Sequence, residues 1–143
     1  MTSPRTAQPS EPVARIMATS VATIDASATW ADAVSELAAN GIGAVLLVDD
    51  NERVGLVSER DLIDALADGT TDLTARQIGE IATFDLIWAD PDDTIAQAGV
   101  TMMDAEIRHL PVGDGREVLG IVSVRDILGV LVADYRKALA AAN

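Results

Sequence analysis

Ser58 and Ser123 each stand three residues before an aspartate, Asp61 and Asp126, and each pair opens an apolar run with helical spacing. A serine hydroxyl at such a position can accept a backbone N–H or face a phosphate, and the free N–H groups of a helix start add partial positive charge at the same point. A carboxylate three residues on can accept two hydrogen bonds from adjacent hydroxyls, such as those of a ribose. Arg60 and Arg125, one residue before each aspartate, are candidate phosphate partners. Gly55 and Gly120 lie three residues before each serine, where a missing side chain lets a ligand or a neighbouring backbone come close. The same Ser-x-x-Asp spacing is also a capping box, which needs no ligand. Capping requires neither the glycine nor the arginine, so their presence in both copies favours a binding role.

The two motifs are parts of a longer duplication. Gly55-Leu56-Val57-Ser58-Glu59-Arg60-Asp61 returns 65 residues later as Gly120-Ile121-Val122-Ser123-Val124-Arg125-Asp126. At that offset Ile16 meets Ile81, Asp25 meets Asp90, Thr29 meets Thr94, Ile42 meets Ile107 and Asp49 meets Asp114. A repeat of this length is one supersecondary unit used twice.

Each half reads as β-α-β-β-α. In the first, Val21 to Ile24 is a strand, Ser27 or Thr29 caps a helix that Asn40-Gly41 ends, Ala44 to Val48 and Val54 to Val57 flank the turn residues Asp49-Asp50-Asn51-Glu52, and a helix covers Glu59 to Ala67. In the second, a strand covers Leu86 to Ala89, a helix Thr94 to Ala105, strands His109 to Val112 and Val118 to Val122, and a longer helix runs on from Val124. The fold class is α/β or α+β. Neither small three-stranded sheet covers itself, so the halves are expected to pack through their sheets with pseudo-two-fold symmetry. The expected boundaries are a flexible tail at 1–12, repeats at 13–68 and 78–133, a linker at 69–77 with the join near Gly69 to Thr74, and a helix extension at 134–143 that packs within the chain or against a second subunit.

Pro4, Pro9 and Pro12 among polar residues, with no apolar core segment, predict a loose tail rather than a signal peptide. No stretch reaches the roughly 18 apolar residues of a membrane span. The net charge of −13 repels phosphate backbones and excludes nucleic acid as a partner, although screening within about 8 Å lets a local arginine cluster hold a small anion. Zero cysteines fit a reducing compartment, so the cytoplasm is expected.

Three other features are weighed. His109, the sole histidine, has no partner set for catalysis or metal binding and suits a rim or phosphate contact or a packed imidazole. Asp90, Asp92 and Asp93 complement the helix start at Thr94 rather than a cation. Trp30 aligns with Ile95 and reads as a core position; Trp88 aligns with Thr23 and reads as core filling, with purine stacking as the second option.

The doubled unit, with its Gly-apolar-Val-Ser-x-x-Asp endings and the Ile107-Arg108-His109-Leu110-Pro111-Val112 run, resembles the tandem cystathionine β-synthase (CBS) domain pair over residues 13–133. The resemblance implies a non-catalytic regulatory sensor that binds AMP, ADP, ATP or S-adenosylmethionine in a cleft between repeats and signals by conformation or dimer assembly. It implies no cofactor and no metal, a homodimer, and a separate effector protein. Ser58, Asp61, Ser123 and Asp126 would then touch phosphate or ribose, Thr23, Trp88 and Pro111 would line the base, and Arg108 and His109 would lie near the phosphates. The first copy departs from the pattern, because Gly43-Ala44-Val45-Leu46-Leu47-Val48 lacks the basic pair and the proline. The alternative is a ligand-free interaction or scaffold protein whose motifs act only as caps.

Overall fold

The computed structural model describes residues 7–69 and 72–142. It is an α+β chain of two compact units: one holds Ser20–Leu86, the other the segment through Thr19 together with the chain from Ile87 onward.

In the first unit the elements are β1 (Thr23–Asp25), α1 (Trp30–Asn40), β2 (Ala44–Val48), β3 (Val54–Ser58) and α2 (Glu59–Ala67). The sheet order is β1-β2-β3, with β1 parallel to β2 and β2 antiparallel to β3. Of the two expected caps, Thr29 is the one used: its side chain accepts the Asp32 N–H while Asp32 accepts the Thr29 N–H. The helix ends at Gly41, whose left-handed φ of 69° costs a glycine nothing. At the hairpin, Asp49 accepts the N–H groups of Asn51 and Arg53, which fixes the turn that joins β2 to β3. Trp30, Ala33, Leu37, Val45, Leu47, Val57, Leu62 and Ile78 form the core. Ile78 and the 83–84 segment are drawn from the start of the second sequence repeat, and the N–H and carbonyl of Thr83 pair with those of Leu56, both at 2.9 Å.

The second unit shows the reciprocal exchange. Its elements are α3 (Ile95–Ala105), β4 (His109–Gly113), β5 (Val118–Ser123) and α4 (Val124–Ala142). Val13 sits in its core with Ala89, Ile95, Ala98, Met102, Leu110, Val112, Val122, Ile127 and Val130, and Ala18 pairs with Ile121 as Thr83 pairs with Leu56. Each motif glycine is explained by this crossing segment. A Cβ on Gly120 would lie 2.7 Å from the Ala18 carbonyl oxygen, and one on Gly55 would lie 2.7 Å from the Phe84 ring. The close approach is thus made by chain, not by ligand. A ring edge can turn aside and a backbone carbonyl cannot, so Gly120→Ala is expected to cost about 1–3 kcal/mol and Gly55→Ala less. Urea unfolding of both variants checks the order.

Three expectations need correction. The strand expected at Leu86 to Ala89 is reduced to a single bridge, Ala89 with Val112, which leaves a two-stranded sheet. The cause is proline. In the first unit Leu46 N–H donates to Ala22 and Ala26 N–H to Val48, and at the 65-residue offset the two donors are Pro111 and Pro91, which have no N–H. What survives is Ala89 N–H to Pro111 at 2.9 Å and Gly113 N–H to Ala89 at 3.0 Å. Residues 7–12 of the tail expected at 1–12 are tied to the second unit: Ala7 is buried in the core cluster that includes Val130, Ile95 and Ala96 donate to the carbonyls of Glu11 and Pro9, and Glu11 binds the Gln8 N–H and the Arg15 guanidinium. Gln8, with its amide turned to satisfy both ends, bridges Asp134 and Lys137, so the extension of α4 packs against this arm. Finally, residues 72–77 of the expected linker fold onto α1, where Ala31 and Trp30 N–H donate to Leu73 and Arg76. The join placed near Gly69 to Thr74 includes residues 70–71, which lie outside the described residues.

Candidate functional site

The sheet in each unit ends at a strand-to-helix corner. Ser58 closes β3 and caps α2: its Oγ accepts the Asp61 N–H at 3.2 Å, and Asp61 Oδ2 accepts the Ser58 N–H at 2.8 Å. Ser123 closes β5 and does the same for α4, with Asp126 N–H at 3.2 Å and Ser123 N–H to Asp126 Oδ2 at 3.0 Å. Here the Ser123 hydroxyl also donates to Oδ2, at 2.9 Å. The capping box is therefore complete in both copies without a ligand.

What the caps leave unused defines the chemistry available. The first helical N–H is taken in both units, Glu59 by the Gly43 carbonyl at 3.0 Å and Val124 by the Arg108 carbonyl at 2.8 Å. Among the described residues no acceptor meets the Arg60 or Arg125 N–H, so each helix start keeps one backbone donor rather than several. Each aspartate spends Oδ2 on its cap and keeps Oδ1 without a described partner. One carboxylate oxygen, one backbone N–H and one arginine at each corner can bind hydroxyls and an anion. Both aspartates and both serines are half-buried, which orders them while leaving a solvent path.

The remaining site residues distribute as follows. In the first unit, exposed Thr23 pairs with Leu46, Gly55 is buried under Phe84, and Arg60 is exposed with a 3.4 Å contact to Asp64, a surface pair worth at most about 1 kcal/mol. In the second, His109 lies opposite Ser123 in the β4–β5 register, which places the imidazole beside the serine–aspartate corner, and the ring is half-buried. Arg108 and Arg125 are exposed, Gly120 is buried under Met17 and Ala18, Pro111 is buried within β4, and half-buried Trp88 packs at Gly113. Register therefore gathers His109, Ser123 and Asp126, with Arg108 next in sequence to the histidine.

Sequence reasoning passed over the two hollows that the fold forms at the opposite, hairpin end of each sheet. One, of about 310 Å³, is lined by Asp25, Asp49, Arg53, Glu80 and Phe84; the other, of about 220 Å³, by Asp90, Pro91, Asp114, Glu117 and Leu119. Asp25 and Asp90, Asp49 and Asp114 are equivalent at the 65-residue offset, which was the available signal. Their carboxylates serve turns: the Ser27 hydroxyl and N–H hold the Asp25 carboxyl below its usual range, and the N–H groups of Glu117 and Arg116 do the same for Asp114. Asp90 and Asp93 likewise close the turn before α3, accepting the N–H groups of Asp92 and Asp90. A hollow ringed by such groups repels a phosphate.

Comparison with known proteins agrees with the repeat read from the motifs. A family model for the CBS domain matches twice, at residues 13–68 and 78–133. YhcV, a CBS domain-containing protein of Bacillus subtilis, is 28% identical over 112 residues, which cover 78% of this chain and 79% of that one. Three other curated relatives are longer, and the chain spans 29%, 57% and 44% of their lengths. The CBS domain pair of protein MJ0100, solved in complex with methylthioadenosine and S-adenosyl-L-methionine, has a TM-score of 0.77 at 26% identity and covers 88% of this chain and 99% of its own. PAE2072 from Pyrobaculum aerophilum, a CBS domain protein solved with AMP, has a TM-score of 0.74 at 26% identity, covering 85% and 95%. With both repeats matched and the architecture shared, the chain belongs to the CBS domain family and carries a pair of these domains.

Proposed function

We propose that this chain is a non-catalytic regulatory module that binds an adenosine-containing ligand, AMP, ADP, ATP or S-adenosylmethionine, at its Ser-x-x-Asp corners. The carrying observation is that both corners keep a carboxylate oxygen and a second-position N–H unspent after capping, with an exposed arginine beside each. Asp61 and Asp126 would accept ribose hydroxyls through Oδ1. Arg60, Arg125, Arg108 and His109 would meet phosphate, and Thr23, Trp88 and Pro111 would line the base. The two relatives solved with adenosine compounds support the ligand class. At the second corner the Ser123 hydroxyl donates to Asp126 rather than to a base, which suits a sensor working in the cytoplasm on a separate effector protein. The ligand acts by linkage: it favours the conformation or the homodimer that binds it better.

A second reading has its own observation. The caps are complete without ligand, and Ile63, Met103, Leu128 and Tyr135 expose large apolar side chains on α2, α3 and α4, as an interaction protein would. Thermal unfolding with and without AMP, ADP, ATP, S-adenosylmethionine and NAD separates the two. At 100 times Kd a ligand adds about 2.7 kcal/mol, which raises the midpoint of a chain of this size by roughly 5–10 °C. A shift with an adenosine compound supports the sensor; no shift with any of them supports the interaction protein.

A further inference from the structure

The second unit presents an apolar face that the described residues leave uncovered. α4 turns Ile127 and Val130 into the core and holds Asp134 and Lys137 against Gln8 of the arm. On its other side Val124, Leu128, Leu131, Tyr135 and Leu139 recur at helical spacing with no charged side chain among them, and the last four are 44–63% exposed. α3 widens this stripe. A Cβ on Gly99 would lie 3.1 Å from Ile127, so the two helices run side by side, and Met103, one turn beyond Gly99, is 74% exposed with Val100 next to it. With Val132 these side chains present on the order of 800 Å², about what a standard dimer buries on each partner and more than the largest apolar patch of most monomers.

The first unit has the same two helices without the face. Ser35, Ala38, Glu59 and Ala67 stand where the second has Val100, Met103, Val124 and Val132, and α2 ends at Ala67, before any counterpart of Tyr135 or Leu139. Its charge opposes self-contact as well: Ser20–Leu86 holds thirteen carboxylates and three arginines, whereas the rest of the chain holds ten carboxylates and seven cations. Two copies meeting at the first unit would set one strongly anionic surface against another. We infer that two copies of this chain pair through α3 and α4 of the second repeat, and not through α1 and α2 of the first. The interface is isologous, the same patch serving both copies, so one side of it supplies the whole apolar area needed. This names the face for the homodimer of the reading above and requires no ligand, so it stands even where the ligand assignment fails.

Sedimentation velocity of the full chain over a range of concentrations tests the pairing. The natural protein is expected to sediment as a dimer and Leu128→Asp as a monomer. Ile63→Asp makes the same change at the equivalent position of the first repeat, where the side chain is 61% exposed against 58% for Leu128, and is expected to remain a dimer. Tyr135→Asp, on the extension of α4, is expected to weaken the dimer about tenfold or more and gives the answer even if Leu128→Asp fails to fold. A natural protein that stays monomeric at every concentration, a dimer that survives both changes on α4, or a dimer that Ile63→Asp disperses overturns the assignment. None of these outcomes bears on the thermal shift that tests the adenosine reading.

Discussion

Replacing Trp30 with alanine is expected to destabilise the chain by about 3–5 kcal/mol, a large share of the roughly 5–15 kcal/mol that holds a folded domain. Trp30 is 1% exposed and stands at the first position of α1, where it packs among Leu37, Leu47, Val57 and Ile78. Its indole N–H donates to the Gln77 carbonyl at 3.1 Å, and the Arg76 guanidinium lies 4.9 Å from the ring centre. The side chain therefore does two jobs: it fills the core under the sheet and ties down the 72–77 segment that leads into the second repeat. Ile95, its equivalent, fills the other core at 0% exposure without a polar tie. Trp30→Ile is accordingly expected to retain more stability than Trp30→Ala while still losing the tie. A urea midpoint for Trp30→Ala within about 1 kcal/mol of the natural protein would contradict this placement.

The second large effect is on ligand response. Asp126→Ala removes the Oδ1 acceptor together with the cap, so it is expected to abolish the thermal shift given by an adenosine ligand at the second corner, while costing about 1 kcal/mol of intrinsic stability. Thr94→Ala is the matched control. Thr94 caps α3 with Gln97 in the same box geometry but stands away from the corner, so it should cost a similar amount and leave the shift intact. If both variants lose stability and both keep the full shift, the Ser-x-x-Asp motif is a cap and nothing more.

Much of the architecture was legible because the signals were local. Ser58 before an apolar run placed α2 at Glu59–Ala67, and Asn40-Gly41 ended α1 where the left-handed glycine sits. The equivalent of Gly41 is Glu106, which adopts φ 56° and ends α3 without a glycine to announce it. What escaped notice was non-local. Pro91 and Pro111 are plain in the chain, but their effect appears only once Ala26 and Leu46 are known to be ladder donors in the other repeat. Ala7 has too small a side chain to signal burial, and the prolines around it read as loose chain although Pro9 accepts from α3. The exchange of segments between the sequence repeats, with Ala18 on Ile121 and Thr83 on Leu56, has no periodic signature at all.

At the site, the residues were found but their occupancy was not. The space beside the motif glycines is filled by Phe84, Met17 and Ala18, and three of the four free amides at each helix start are already spent on the aspartate, the serine and the carbonyl of the residue that precedes β2 or β4. Those are long-range or side-chain bonds, which residue type alone does not fix. The surviving donors and acceptors are fewer and more sharply placed than the motif suggests.

The most direct measurement is a titration of isotope-labelled protein with AMP, followed through its backbone amide resonances. Saturable shifts centred on Arg60, Asp61, Arg125 and Asp126 are the expected result. Shifts confined to the hairpin ends, at 49–53 and 114–117, or no shift at ligand saturation of a known AMP-binding relative, would contradict the assignment of the corners as the binding sites.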